Sequence, residues 1–332
     1  MGGRSPGREG SGMRFISSVV AVAIAWSCCP LAVAAEGHTL TVESGDVSGF
    51  YYPEAGALCR LINRERSRHG LRCVVEPTLG SLANLTALRV GDGQLAIVQS
   101  RILAQAVTGG EGPAREPDAG LRILMSLHGE ALAVLVNPAA KIKSMTDVKG
   151  KRLAVGHPGS FQRLMADSLL ASEGLTSRDL GQVLEMDAHE ASEALCRNEI
   201  DAAVFTGLHP LAEVQDAIDE CGASLLSVRS SAVDTYLKAN PAFIRQTIPG
   251  DTYAGVHDKV VSFGIASLLV TTASLSPDDA YEVVKAVFEG LAFLKSQHPL
   301  FGGLDRKQMA RDAMVAPLHE GALRYYKENG LQ

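Results

Sequence analysis

The stretch "VVEPTLGSLANLTAL" (residues 74–88) runs from a β-branched apolar segment through Gly80-Ser81 into a helical pattern. Residues 153–165, "LAVGHPGSFQRLM", repeat that arrangement with Gly159-Ser160. A strand, a Gly-Ser turn and an amphipathic helix occurring twice in one chain predict two α/β halves built to one plan. Around the first copy, "HTLTVES" (His38 to Ser44) alternates like a strand, "YYPEAGALCRLINRERSR" (Tyr51 to Arg68) has helical periodicity, and "LRCVVEP" (Leu71 to Pro77) is a strand again. "QLAIVQS" (Gln94 to Ser100) reads as a further short strand with a polar end. Beyond a Gly- and Pro-rich loop, "LRILMSL" (Leu121 to Leu127) and "ALAVLVNP" (Ala131 to Pro138) read as two separate apolar strands.

Around the second copy, "NEIDAAVFTGLHP" (Asn198 to Pro210) places a strand before Thr206-Gly207, much as "QLAIVQS" does before Gln99-Ser100. A long apolar strand, "DKVVSFGIASLLVTT" (Asp258 to Thr272), and helical segments near Asp278 to Ser296, Arg306 to Met314 and Pro317 to Asn329 follow. The expected fold is therefore α/β with parallel sheets and a cleft between two lobes. The expected division is lobe I at 35–135 plus 261–332 and lobe II at 136–260, with hinges near Leu135 to Ala139 and Pro249 to Val260.

The N-terminus reads as an export signal over residues 1–34. Arg14 precedes the apolar run "FISSVVAVAIAW" (Phe15 to Trp26), and Ala32-Val33-Ala34 has the small-x-small pattern of a cleavage site. Met13 would start a compact signal by itself, which makes Met1 to Gly12 an artefact of the chosen start. An uncleaved anchor is opposed by Ser17, Ser18, Ser27 and Pro30, which interrupt the run, and the residues before Cys28 only weakly resemble a lipidation site. The expected location is the periplasm.

With 332 residues, 46% hydrophobic and 20% charged, the chain can fill a large core, and its net charge of −6 disfavours nucleic acid as a partner. Cys59, Cys73, Cys196 and Cys221 would remain after cleavage. Four cysteines allow three pairings, of which Cys59 with Cys73 and Cys196 with Cys221 close the shortest loops. No Cys-x-x-Cys or His-Glu-x-x-His spacing points to a metal, and nothing points to a cofactor. Beyond the signal there is no Gly-x-Ser-x-Gly and no P-loop, so a secreted enzyme on the same architecture is the weaker reading.

A Gly-Ser entrance offers an anion the uncapped backbone donors of a helix N-terminus together with a hydroxyl. Singly, each would read as a helix cap; their recurrence suggests two walls of one site. The candidate ligand contacts are Thr78, Gly80, Ser81 and Asn84 at the first entrance and Gly159, Ser160, Phe161, Gln162 and Arg163 at the second. To these are added Ser48, Tyr51 and Tyr52 in the first strand-to-helix turn, and the strand ends Gln99, Ser100, Thr206 and Gly207. Arg163 is unfavourably placed for the helix dipole; it either meets a ligand carboxylate or pairs with Asp167 one turn on.

As a set, "SGDVSGFYYPEAGAL", "PTLGSLANLTALRVGDGQLAIVQS", "DVKGKRLAVGHPGS", "IDAAVFTGLHP", "IPGDTYAG" and "APLHEGALRYYKENG" resemble the TAXI class of solute receptors that serve tripartite ATP-independent periplasmic (TRAP) transporters. The resemblance implies a two-lobed periplasmic binding protein of the second topological type. Such a protein captures a small organic anion, for example a dicarboxylate, an acidic amino acid or a 2-oxo acid, and delivers it to membrane subunits driven by an ion gradient. Phe161 departs from the class, which usually has a second glycine there, as does Arg101, where an acidic residue is common. A ligand sensor coupled to a membrane receptor shares all these features.

Overall fold

In the computed structural model, residues 1–2, 38–109 and 116–332 are described, and Ala35–Gln332 forms one compact unit. The export signal expected over residues 1–34 lies outside the described residues, apart from Met1 and Gly2.

Ten strands make one mixed sheet: β1 (Thr39–Glu43), β2 (Arg72–Glu76), β3 (Leu95–Gln99), β4 (Leu121–Val136), β5 (Arg152–Ala154), β6 (Gln182–Leu184), β7 (Ala202–Gly207), β8 (Ser224–Leu226), β9 (Phe243–Ile248) and β10 (Val260–Thr272). Their order is β2-β1-β3-β10-β4-β7-β5-β6, with β8 on β4 and β9 on β10. The pairs β1–β2, β1–β3, β5–β6 and β5–β7 are parallel, as strand–helix alternation predicts, whereas β10 runs antiparallel to both β3 and β4.

The two apolar segments at Leu121 to Leu127 and Ala131 to Pro138, expected to be separate strands, form the single strand β4. His128-Gly129-Glu130 does not break it, because β10 pairs along it from Gly264 opposite Ala131 to Thr272 opposite Leu121 and two register shifts absorb the misfit. Past Ala131, β4 exchanges neighbours: Ala131 to Val136 pair with Gly207 to Ala202 of β7, and Val134 to Val136 with β8. β10 does likewise, pairing with β3 at Ser267–Val270 and with β9 at Val260–Ile265. Both halves of the sheet therefore hang on the same two strands.

Alternation in these strands divides the core. In the first half, Leu124, Met125 and Leu269 join the helices Tyr51–Arg64, Pro277–Glu289 and Glu320–Glu328, while Ile123, Leu268 and Val270 meet Leu85, Leu88 and Leu103 on the opposite face. In the second half, Leu132 and Val134 pack on Met165 and Leu169, while Ala133 and Leu135 pack on Leu195 and Val214. Burial of each such side chain contributes roughly 1.5–3 kcal/mol against chain entropy. The C-terminal segment completes the first half: the Ile123 amide donates to Pro317, the His319 amide to Ile123, and the Tyr326 hydroxyl to the Leu124 carbonyl.

Cys59 is bonded to Cys73 and Cys196 to Cys221, the pairs expected from loop length. The first ties the helix Tyr51–Arg64 to β2, and the second ties the ends of helices Ala188–Cys196 and Ala212–Cys221. Closing loops this short contributes about 3 kcal/mol each in the chain-entropy account. The C-terminal helical pattern is more broken than expected: Gly290 separates Pro277–Glu289 from Leu291–Gln297, and the helix at Arg306 ends at Met309.

Candidate functional site

Register brings the carboxyl ends of both strand sets to one place. Gln99, the last residue of β3, opposes Ser267 of β10; three residues along β10, Gly264 opposes Ala131 of β4; and Ala131 opposes Gly207, the last residue of β7. Ligands of open α/β sheets bind outside such ends.

At this crossing the structure buries a polar network. Tyr51 donates its hydroxyl proton to Glu130 Oε1 at 2.5 Å, and Gln99 Nε2 donates to Glu130 Oε2 at 3.2 Å. One turn along the same helix, Glu54 accepts from His128 Nδ1 at 2.6 Å and from the Ser267 hydroxyl at 3.1 Å. The Glu54 and His128 side chains are 0% and 2% exposed. Burial opposes charge on His128, but the Glu54 and Glu130 carboxylates outweigh it and hold the imidazole above its ordinary value. Burial, then the Glu130 charge, push the Tyr51 phenol well above its own. Glu54, His128 and Glu130 were not singled out from the sequence. The available signal was two titratable groups in the middle of an otherwise apolar run, "LRILMSLHGEALAVLV".

The residues that were singled out divide by what they already hold. At the first entrance, Gly80 needs its φ of 96° to turn the chain into the helix Ser81–Val90, which has no side-chain cap. Leu79 before it is 96% exposed. The Ser81 hydroxyl accepts from the Gln99 amide at 3.1 Å, joining the start of this helix to the end of β3. Thr78 donates to Asn84 Oδ1, and Asn84 Nδ2 donates to the carbonyls of Ser44 and Ile97. Asn84 is fully buried with its amide spent on Thr78, Ser44 and Ile97 of β3, so it ties these segments together. Ser100 is likewise fully buried, donating to Ala242 O and accepting from the Ala266 amide.

At the second entrance Gly159 has φ 79°, and the Ser160 hydroxyl caps the helix Phe161–Ser172 by accepting from the Arg163 amide at 3.1 Å. Gln162 Nε2 donates to Val204 O at 2.6 Å, and Phe161 packs against the second-half core in place of standing free at the mouth. Arg163 Nε lies 3.0 Å from Asp167 Oδ1 and Nη1 lies 3.2 Å from Glu185 Oε1, so its charge is met by the chain's own acids. Ser48 is held by Asp46 through its amide and hydroxyl, Tyr52 is exposed, and Thr206 and Gly207 end β7 opposite Leu132 and Ala131. Arg101 is half-buried and makes no ion pair among the described residues.

A cavity of about 1150 Å³ opens beside the crossing. His128, Gly129 and Ala131 of β4 form its floor, with Leu208 to Pro210 and Gln246 on the second-half side and His298 to Leu300 on the other. None of the residues singled out as ligand contacts lines it. On its wall His209 Nδ1 lies 2.5 Å from the Tyr253 hydroxyl and Nε2 lies 3.1 Å from Ala131 O. Burial lowers the His209 pKa to about 4 and raises that of Tyr253 to about 12.

With a folded value below the unfolded one of about 6.5, the neutral imidazole stabilises fully above that pH, and the contribution is lost as pH falls towards 4, by about 3 kcal/mol at most. Urea denaturation at pH 7 and pH 4 should therefore show a smaller loss of stability in His209→Gln than in the wild type; equal losses would remove His209 as the cause. Among the described residues no three His, Cys, Asp or Glu side chains gather to hold a metal ion, and no helix is long and apolar enough to cross a membrane.

A family model, that of the NMT1-like family, matches residues 42–330. Among solved structures, a TctC solute-binding protein from Polaromonas is similar over 82% of this chain and 88% of its own, at 16% identity and a TM-score of 0.51. A protein described as the periplasmic sulfonate-binding protein SsuA from Methylobacillus flagellatus KT is similar over 90% of this chain and 88% of its own, at 14% identity and a TM-score of 0.50. The fold is that of periplasmic solute-binding proteins.

Proposed function

The chain belongs to the NMT1-like family, and from that premise we propose that it is an extracytoplasmic solute receptor: it captures a small organic anion between two lobes and delivers it to the membrane subunits of a TRAP transporter. The observation that carries this reading is the convergence of both sets of strand ends on Ser126–Ala131 of β4, with a Gly-Ser helix entrance beyond β2 and another beyond β5. Two disulfides fit an oxidising compartment outside the cytoplasm.

In this reading Gly80-Ser81 and Gly159-Ser160 are the two jaws, each presenting first-turn amides to a carboxylate. A helix N-terminus offers an anion about 0.3–2 kcal/mol, so the ligand must gain contacts on both sides as the lobes close. In this reading the lobes are joined through β4 and β10, which exchange neighbours near Gly129–Ala131 and Gly264–Ala266. Arg163, committed to Asp167 and Glu185, stands outside the jaws.

Native mass spectrometry of protein purified without added ligand should reveal a retained solute bearing a carboxylate, and a neutral solute would overturn the jaws. With that solute, X-ray scattering should show a more compact particle at saturation; an unchanged curve would overturn closure. Arg163→Ala should change the affinity by less than about 1 kcal/mol, the scale of an exposed ion pair, and a larger loss by calorimetry would return Arg163 to the site.

A further inference from the structure

His128 is nine-tenths buried and more, yet only one of its nitrogens is used. Nδ1 is fixed on Glu54 Oε1 at 2.6 Å, and Glu54 is itself fixed by Ser267. Nε2 is buried without a hydrogen-bond partner, and the residue lines the cavity of about 1150 Å³. An unpaired buried polar atom is destabilising and rare in native folds. The strand is shaped around this residue: the register shift between Ala266 and Leu268 falls where β4 carries Leu127 and His128, and such irregularities re-aim a side chain next to sites. Phe50 presents an apolar wall, its ring 4.9 Å from the imidazole and nearly perpendicular to it.

We propose that His128 Nε2–H is a ligand-contacting donor, and that the cavity beside it holds an anionic oxygen of the solute, a carboxylate. This rests on the receptor reading above and adds a subsite to it. The charge pattern selects the acceptor. Nδ1 faces Glu54, so the other ring nitrogen is directed away from that pair; the neighbouring carboxylates favour the protonated ring, and a hydrogen bond from its Nε2–H is strongest to an anionic oxygen. The groups facing His128 are Glu54 and Tyr51 on the helix Tyr51–Arg64, Glu130 on its own strand, Ser267 on β10, and His298 behind Phe50. The cavity wall also carries Lys259, Arg245 (paired with Asp234) and the carboxylates Asp305 and Asp312; Lys259 makes no ion pair among the described residues. The cavity walls come from both halves of the sheet.

The test uses the full chain, ¹⁵N-labelled, stripped of solute in denaturant and refolded with its disulfides intact. Sodium acetate is the probe, and sodium chloride at equal ionic strength is the control. The readouts are the imidazole Nε2 signal of His128 and the backbone amides of Ser81 and Ser160. At about 100 mM acetate, enough to fill a site of millimolar affinity, the His128 signal should move and its titration midpoint should rise by about one pH unit, a tenfold linkage. Glu54→Gln, which removes the balancing charge, should lower that midpoint and weaken the acetate response. A His128 signal indifferent to acetate overturns the proposal even where the Ser81 and Ser160 amides respond. A His128 response with silent amides supports it and instead counts against the jaws.

Discussion

Replacing Glu54 with alanine is expected to lower the unfolding free energy by about 3–5 kcal/mol, because it leaves the His128 imidazole and the Ser267 hydroxyl buried without their acceptor. Urea denaturation followed by circular dichroism measures it, and the double variant Glu54→Leu, His128→Leu should recover most of the loss, since an apolar pair needs no partner. The sign of the pH dependence follows from the raised folded pKa of His128. Its contribution is complete below the unfolded value of about 6.5 and is lost as pH rises through the folded value. The gap between wild type and Glu54→Ala should therefore narrow in alkali; a gap that widens would place the cost elsewhere.

Gly264→Ala should be comparably severe, about 3 kcal/mol or more. A Cβ at that position would stand 1.9 Å from the Glu130 carbonyl oxygen and 2.9 Å from the Ala131 Cα. Both are backbone atoms of the paired strand, so no rotamer change relieves the clash and the crossing itself must open. Gly302→Ala is the control: nothing lies within 4 Å of its Cβ position, and the change should stay within about 0.5 kcal/mol. Equal effects at the two glycines would mean that the close approach of β4 and β10 is not what Gly264 permits.

The α/β class, the duplicated plan and both disulfides were legible because each rests on local signals: periodicity, Gly-Ser turns and short loops. What was not legible depends on pairing partners distant in sequence. Two apolar runs flanking His128-Gly129-Glu130 read as two strands, and only the presence of β10 along both makes them one. β9, "FIRQTI", carries too few apolar residues to announce itself, and it exists because Val260–Ile265 pairs with it. Among site residues, glycine and serine positions were recoverable from turn chemistry, but the occupation of side chains was not. Asn84 looks like a ligand amide until Ser44 and Ile97 claim it, and for Arg163 the sequence offers both a ligand and Asp167, while Glu185, beyond β6, joins Asp167 only in the fold. Glu54 is the sharpest case. In sequence it is one more charge in a helix's first turn, where acids are common, and only the packing of β4 shows that it is buried.

The chain emerges into its compartment from one end, and the order of emergence meets an obstacle in this topology. The core that Leu40, Leu58 and Ile62 enter is finished by Val287, Phe288, Tyr325, Tyr326 and Leu331. A chain that has emerged only through β3 therefore lacks the contacts that close its own half, and it must stay open until the C-terminal helices follow. The middle segment, by contrast, draws its own core from Leu132 to Ile265. Vectorial folding should start in the middle and end with the first strands, the reverse of the usual N-terminal precedence.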